Sequence, residues 1–400
     1  MKILFAALLQ ACVIQLSAQY TFFEPKEAFA IEVSLDNSPL KRLPIYRNSI
    51  SSLIVSGDHI IGGTTADEGL TPFIFIASLA KRELVSFLDV NEVIPRQRSI
   101  RTGFSKGKNN ELYAGTLANK NEKGENQDGH LIEVRADAAG AISIKDLGAP
   151  MPGEGIFSLA ADSKGSMLYG ITYPTGIFFT YNIATKAVKT FKDIVPSTQD
   201  LHSVSEYVLN PEDWLCKALV EGPQGQIFGS LPINKLFSFD PASQRFHIFE
   251  DHLPEVWGHR TLGQVESWAK SKDGKLYGGN AGDGQLFVIN PVNKKVKNLG
   301  KPIMMPRLRG LAFARDGKLY GIAGGLPGYA HLFSYAPDKE GFSDYGNPQF
   351  TMKAPGIEQG IDWRGFQLST ITSSPDGKYV VIGEDESLSQ LLVFAVDANK

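Results

Sequence analysis

The chain has 400 residues, 42% of them hydrophobic, with 40 lysines and arginines against 43 aspartates and glutamates. The formal charge of -3 and the interspersed acidic and basic residues exclude nucleic-acid binding as the main function. The length would suffice for two or three ordinary domains, so the domain organisation has to come from the sequence pattern.

The first residues have the pattern of a secretory signal. Lys2 precedes the apolar stretch 3–9, and the small-residue sequence Leu-Ser-Ala at 16–18 is a cleavage site. The apolar stretch is too short to span a membrane. We therefore expect residues 1–18 to be removed and the protein to be secreted or periplasmic. Lipoprotein processing at Cys12 is the alternative, although Gln10 fits that pattern poorly.

Cysteine usage limits the kinds of site that the mature chain can hold. After cleavage only Cys216 remains, so no intrachain disulfide can form, and the sequence has no Cys/His cluster with metal-ligand spacing. We predict neither a metal nor a cofactor.

One phrase recurs along the chain from about residue 30 to the end. A hairpin turn is followed by Leu-Tyr-Gly and, after a short gap, by Leu-Phe; the plainest copies are 273–291 and 316–335. Each copy is predicted to form four short antiparallel strands, and no segment has a convincing helical period. Repetition at this spacing predicts a β-propeller.

The turns indicate the number of repeats. Each contains a glycine, namely Gly57, Gly107, Gly165, Gly225, Gly274, Gly317 and Gly377. The last copy stops after three strands, and the alternating segment 30–35 supplies the missing outer strand, which closes the ring and removes the unpaired edges. We predict an all-β, seven-bladed propeller of four-stranded blades that occupies residues 19–400 as one domain, and a monomer.

Basic residues precede several of the predicted inner strands. They are Arg47, Arg101, Arg260, Arg307, Arg309 and Arg364. In a propeller these positions meet at one end of the central channel, where arginines suit a carboxylate, sulfate or phosphate. The alternative is that each arginine binds a neighbouring backbone carbonyl.

Two loops at the same end carry candidates for acid–base chemistry. Tyr173 follows the second strand of the third repeat, and His130 follows a long insertion in the second repeat. Beside arginines that neutralise a uronate carboxylate, one of these groups would remove a proton and the other would protonate the leaving oxygen. The alternative is that this position is polar in every blade, because His331, Lys235 and Gln285 occupy the same repeat position as His130.

These features together resemble a known family of propellers. The repeats, the signal sequence, the segment around Tyr173 and the sequence Asp-Trp-Arg-Gly-Phe-Gln at 362–367 are similar to glycoside hydrolase family 145, also classed as polysaccharide lyase family 42. The ulvan lyase propellers are similar in plan. The resemblance implies cleavage of the L-rhamnose-α-1,4-D-glucuronate linkage of arabinogalactan-type plant glycans by β-elimination.

The resemblance also implies roles for particular residues. His130 and Tyr173 match the catalytic histidine and tyrosine, and Arg260 and Arg364 match two substrate-binding arginines. Arg101 lies nearest the place of a further histidine of the family, and we expect Arg101 and Arg309 to bind substrate as well. A second histidine of the family pattern is missing, because the chain has none between His59 and His130. Members described as α-L-rhamnosidases use a lone histidine on the opposite face, for which Asn48 or His59 is the matching position.

Three other functions remain open from the sequence. The first is hydrolysis of the same linkage as an α-L-rhamnosidase. The second is a non-catalytic propeller that binds a glycan or protein through the channel, which the missing histidine favours. The third is a lactonase-like propeller with a metal bound by acidic residues near the inner strands, for which Glu154, Glu221 and Glu266 are candidates.

Overall fold

The computed structural model describes residues 25–33, 48–67, 69–192, 194, 210–254, 264–324, 330–348, 368–385 and 390–398. Within these ranges the protein is all-β, with short 3-10 helices at Val90–Glu92 and Pro211–Asp213 and no α-helix. The signal sequence, Arg47, Arg260 and Arg364 lie outside the described residues.

The strands form antiparallel sheets that follow one another along the chain. After β1 (Ala28–Glu32) come β2 (Asn48–Ser56), β3 (His59–Ala66), β4 (Phe73–Ser78), β5 (Glu83–Asp89), β6 (Gln97–Ile100), β7 (Ser105–Lys106), β8 (Leu112–Ala118), β9 (Leu131–Ala136) and β10 (Ile142–Gly148). Strands β2–β5 and β7–β10 are two four-stranded meanders. Strand β6 pairs with both β3 and β8 and joins the meanders into a nine-stranded sheet.

The next four sheets are separate, and each has its strands in chain order. They consist of β11 (Gly155–Ala161), β12 (Met167–Tyr173), β13 (Phe178–Asn182) and β14 (Val188–Phe191); β15 (Val220–Glu221), β16 (Ile227–Leu231), β17 (Lys235–Asp240) and β18 (Arg245–His252); β19 (Val265–Lys270), β20 (Leu276–Asn280), β21 (Leu286–Asn290) and β22 (Lys295–Gly300); and β23 (Leu308–Phe313), β24 (Leu319–Ala323), β25 (His331–Ala336) and β26 (Gly341–Asp344).

The last sheet joins the two ends of the chain. It contains β27 (Leu368–Ser373), β28 (Tyr379–Glu384) and β29 (Gln390–Ala395), with β1 as its fourth strand. The pairing runs from Ala28 opposite Phe394 to Glu32 opposite Gln390. The alternating pattern at 30–35 therefore marks a real outer strand, although the strand begins two residues earlier and ends at Glu32.

The recurring Leu-Tyr-Gly has a packing explanation. A Cβ added to Gly278 would lie 2.2 Å from the Phe287 ring, and one added to Gly321 would lie 2.5 Å from the Phe333 ring. Each phenylalanine on the third strand of a sheet thus covers the glycine of the second strand, where no side chain fits. The two halves of the recurring phrase are consequently one packing unit.

Buried apolar clusters lie between successive sheets, and one of them joins the last sheet to the first. In that cluster Phe29, Val381 and Val393 pack with Leu53 and Phe75. The described sheets therefore follow each other in a closed circle, as in a β-propeller.

Candidate functional site

The first strands of the sheets begin around a common cavity of about 440 Å³. Its walls come from β2, β6, β19, β23 and β27 and from the residues just before β15, all at the end of the sheets where these strands start. We call this space the channel cavity. It lies where the sequence predicts that the inner-strand arginines converge.

The channel cavity carries an excess of positive charge. Five cationic and three anionic side chains line it, namely Arg98, Arg101, Lys217, Arg307, Arg309, Glu212, Glu266 and Asp385. These charges divide into a neutralised group and an under-neutralised group.

Glu266 is the centre of the neutralised group. The Nε and Nη2 atoms of Arg307 both donate to its carboxylate, with Nε 3.0 Å from Oε2, and the Lys217 ammonium lies 3.7 Å from Oε1. Burial alone would raise the pKa of Glu266, but the charges of Lys217 and Arg307 and the Arg307 hydrogen bonds lower that pKa to about 2. Glu266 is therefore a fixed anion at neutral pH.

Arg309 is also held by the protein. Its Nη1 donates to the Leu368 carbonyl at 2.8 Å, and its Nη2 lies 3.4 Å from the Asp385 carboxylate, which also accepts from the Ser49 hydroxyl. These contacts link β23 to β27 and β28. Much of the hydrogen-bonding capacity of Arg309 is thus used within the fold.

Arg98 and Arg101 form the under-neutralised group. The Arg98 Nε is buried and has no hydrogen-bond partner among the described residues. Among the described residues, Arg101 has one carboxylate within ion-pair distance, Glu212 at 3.9 Å, and Glu266 acts on it from farther away. Two cations with so little compensation in a partly enclosed space favour an anionic ligand.

Tyr173 lies beside these arginines. The Arg101 guanidinium stacks over the Phe157 ring at 4.6 Å, and the Phe157 ring stacks on the Tyr173 ring at 5.8 Å. Tyr173 also lines a second cavity of about 340 Å³, which shares Arg98, Leu117 and Glu212 with the channel cavity. We call Arg98, Arg101 and Tyr173 the anion subsite.

Burial changes the proton affinity of two groups near this subsite. It raises the pKa of Tyr173, and the Glu212 charge acts in the same direction, against the opposing charges of Arg98 and Arg101. The phenol is therefore neutral and can donate a hydrogen bond. Burial lowers the pKa of the Lys217 amine. The charges of Arg307 and Arg101 lower it further, and the charge of Glu266 raises it.

His130 lies at the same end of the sheets but lines neither cavity. Its Nδ1 is 2.8 Å from the Asp146 carboxylate on the outer strand β10. His331 makes the same contact with Asp344 on β26 at 2.9 Å. The pairing is therefore shared by at least two repeats, as expected if the position is generally polar.

The remaining predicted positions are not brought to this site by the described structure. His59 starts β3, in the hairpin at the opposite end of the sheets. Asn48 is the first residue of β2, and its side chain lies outside the described part of the structure, as do Arg260 and Arg364. Of the predicted residues, Arg101, Arg307, Arg309 and Glu266 line the channel cavity, and Tyr173 lines the cavity next to it.

The acidic residues suggested as metal ligands have other partners. Glu266 binds Arg307, the Glu154 carboxylate accepts from the Thr175 amide, and Glu221 accepts from Ser163 in the hairpin of the neighbouring sheet. In the described ranges no three His, Cys, Asp or Glu residues are grouped as metal ligands.

The sequence prediction missed Arg98, Lys217, Glu212 and Asp385. Lys217 precedes an inner strand in the fourth repeat, as the predicted arginines do in theirs, so a search for either cation would have found it. Arg98 lies three residues before Arg101, within β6. Glu212 and Asp385 carry no repeat signal.

Across the described ranges, no helix is both long and apolar enough to cross a membrane.

Comparison with known proteins identifies the fold. The sequence matches no protein-family model, and no curated protein sequence matches it. Among solved structures, the extracellular domain of the putative one component system BT4673 from B. thetaiotaomicron superposes with a TM-score of 0.56 at 14% sequence identity. The match covers 92% of this chain and 40% of the BT4673 chain. Virginiamycin B lyase from Staphylococcus aureus gives 0.58 at 9% identity, covering 93% of this chain and all of its own.

A third similar structure is the β-propeller domain of Myceliophteria thermophila Cps50 (Swd1), with a TM-score of 0.55, 9% identity and coverage of 88% of this chain and 100% of its own. At these identities the likeness concerns the fold and not the activity. The chain is thus structurally similar to β-propeller domains that differ widely in what they do.

Proposed function

We propose that this chain is an exported, seven-bladed β-propeller that binds a glucuronate-bearing glycan at the anion subsite. The observation that carries the proposal is the pair Arg98 and Arg101, which lie in a partly buried cavity with little neutralising charge around them. The count of seven treats the two meanders of the nine-stranded sheet as separate blades. The inner strand of the second blade is then β6 and β7 together, since both pair with β8.

The chemistry of the subsite suits a uronate. A planar guanidinium binds a planar carboxylate through two parallel hydrogen bonds. The Phe157 ring is fully buried against Arg101 and Tyr173, so the partly exposed Tyr173 ring is the one on which an apolar sugar face can pack. A neutral Tyr173 hydroxyl adds a donor for a ring or glycosidic oxygen.

Calorimetric titration tests this function directly. A rhamnose–glucuronate-capped arabinogalactan oligosaccharide is titrated into the mature chain, beside the same oligosaccharide with its carboxyl group reduced to the alcohol. We expect heat of binding only for the acid. Equal affinity for the two, or no binding of either, would exclude the proposal.

Export is proposed from two independent observations. The first is the signal pattern at 1–18. The second is that similar structures include extracellular domains from B. thetaiotaomicron. Fractionation of the source cells, with detection of a chain shortened by about 18 residues, tests this part of the proposal.

A second function, β-elimination at the rhamnose–glucuronate linkage, is favoured by the raised pKa of Tyr173. In this reaction a base takes the proton from C5 of glucuronate. The C4–O bond breaks, a C4–C5 double bond forms, and rhamnose leaves after its oxygen receives a proton. The neutral Tyr173 suits the proton donor, whereas Lys217 is paired as an ammonium with Glu266 and does not supply the base.

The Tyr173→Phe variant separates elimination from binding. We expect the rise in far-ultraviolet absorbance that marks the unsaturated product to slow by about 10²- to 10⁴-fold, since the proton donor is lost. The affinity for the substrate should change by less than about tenfold, because the ring stack is kept. An unchanged rate would eliminate Tyr173 as the acid, and free rhamnose without the absorbance change would indicate an α-L-rhamnosidase.

His130 is tested against its repeat equivalent. Because His130 and His331 make matching carboxylate contacts, we expect His130→Ala and His331→Ala to lower the free energy of unfolding by similar amounts, about 1 kcal/mol in denaturant titrations. If His130 has the catalytic role that the family resemblance implies, only His130→Ala also abolishes the absorbance change. Equal activity of the two variants would restrict His130 to its structural contact.

A further inference from the structure

A separate pocket of about 470 Å³ lies between the sheet β19–β22 and the sheet β23–β26. Residues of the β19–β20, β23–β24 and β25–β26 hairpins line it, so it opens at the opposite end of the sheets from the channel cavity. All its lining residues belong to the described ranges. We call it the hairpin pocket, and its volume is within the range of small-molecule sites.

Three aromatic rings form the apolar part of the hairpin pocket. The Tyr277 ring meets the Phe313 ring edge-on at 5.2 Å and lies 6.4 Å from the Tyr335 ring. Val288 and Leu299 complete the apolar lining. Such walls pack well against a flat apolar ligand.

The two tyrosines differ from their repeat equivalents in hydrogen bonding. Tyr320 takes the place of Tyr277 in the next sheet, and its hydroxyl lies 3.0 Å from the Asp316 carboxylate. Tyr181 takes the place of Tyr335 in the sheet β11–β14 and donates to the Leu147 carbonyl at 2.9 Å.

In the hairpin pocket no such partner is present. Tyr277 and Tyr335 are 6% and 2% exposed, line the pocket, and their hydroxyls bond to none of the described residues. Because burial raises the pKa of Tyr277, and raises that of Tyr335 to about 12, both phenols remain protonated donors at neutral pH. Two phenol hydroxyls that line one pocket and have no partner among the described residues are free to donate to a polar ligand atom.

The rim of the hairpin pocket is basic. Four lysines line it, and two of them are neutralised, since Lys275 pairs with Asp273 at 2.8 Å and Lys297 pairs with Glu340 at 2.5 Å. Lys270 and Lys272 form no ion pair with a described residue. The rim therefore has two spare positive charges above an apolar, hydroxyl-bearing floor.

We propose that the hairpin pocket binds a small hydroxylated aryl carboxylate, independently of the glycan site. The ring packs on Tyr277, Phe313 and Tyr335, and its hydroxyl group bonds to the two phenols. The carboxylate faces Lys270 and Lys272. A neutral aryl alcohol would leave the lysine charges unused.

The probe for this site is 4-hydroxybenzoate, titrated into the full chain and followed by ligand-detected NMR. We expect binding that weakens about tenfold in the Lys270→Ala/Lys272→Ala double variant and about fivefold in Tyr335→Phe, which keeps the ring packing. The control is Lys164→Ala, an exposed lysine in the hairpin between β11 and β12, which should bind as the unmodified chain does.

Two further binding measurements distinguish this site from the glycan site. An Arg98→Met/Arg101→Met variant should bind 4-hydroxybenzoate with unchanged affinity, and 4-hydroxybenzyl alcohol should bind at least tenfold more weakly than the acid. The proposal is overturned if the unmodified chain does not bind the acid, if the alcohol binds equally well, or if the arginine variant alone loses binding.

Discussion

Replacing Arg98 and Arg101 with methionine, singly, is expected to weaken binding of a glucuronate-capped oligosaccharide by about 10- to 100-fold each. Each variant removes charged hydrogen bonds to the carboxylate, worth roughly 1.5–3 kcal/mol. Methionine retains most of the apolar volume of the arginine side chain, so the packing of residue 101 on Phe157 is largely kept. Calorimetric titration of the acid and of its carboxyl-reduced form measures the effect, which should vanish for the reduced form.

The matched control is Arg245→Met. Arg245 is exposed at the start of the outer strand β18 and does not line the channel cavity. This variant should bind as the unmodified chain does. Arg309→Met is a stricter comparison, because Arg309 shares the channel but bonds Leu368 and Asp385. Undiminished binding by an Arg98→Met/Arg101→Met double variant would refute the anion subsite.

The second large effect concerns the stability of the channel wall. Glu266→Gln is expected to lower the free energy of unfolding at pH 7 by about 3 kcal/mol, because it leaves the largely buried Lys217 and the partly exposed Arg307 without their shared anion. Denaturant titration at constant pH measures the loss. Glutamine has nearly the same shape as glutamate, so the difference reports the charge and not the volume.

The same interaction has a defined pH dependence. The folded-state pKa of Glu266, about 2, lies below the ordinary glutamate value, so the unfolded chain binds this proton more readily. The stabilisation is complete above about pH 5 and is lost as the pH falls towards 2. The stability difference between the unmodified chain and Glu266→Gln should therefore shrink over that interval.

Glu250→Gln is the control for this pH dependence. Glu250 is exposed on the outer strand β18, and its substitution should change the stability by less than about 0.5 kcal/mol. A Glu266→Gln loss that stays constant between pH 7 and pH 3 would contradict the ionic explanation. It would indicate that shape and packing at residue 266 are what matter.

The arrangement of strands could be predicted from the sequence because the contacts that specify it are local and recur in each repeat. The glycine of Leu-Tyr-Gly and the phenylalanine of the next strand touch across one strand pair, as Gly278 and Phe287 do, so each repeat carries its own packing signal. The alternating segment at 30–35 similarly marked a strand without a partner nearby. Its partner, β29, followed from the incomplete last repeat.

The site was harder to predict because the acidic residues that neutralise its arginines lie far away in the sequence. The inner-strand arginines look alike in sequence, yet Arg307 is neutralised by Glu266, 41 residues away, whereas Arg98 has no such partner among the described residues. Whether a cation has an anionic partner depends on where acidic residues lie in the neighbouring sheets. Glu212 and Asp385 follow no repeat pattern, so only the folded arrangement separates the two groups of cations.

The pairing of β1 with β29 has a consequence for the synthesis of the chain. About 360 residues separate the two strands, so at 5–20 residues per second β1 waits roughly 20–70 s on the ribosome before its partner exists. Throughout that time the edge meant for β29 is open to other chains. A chain kept unfolded until its synthesis is complete would avoid this interval, because β29 would already exist when β1 begins to pair.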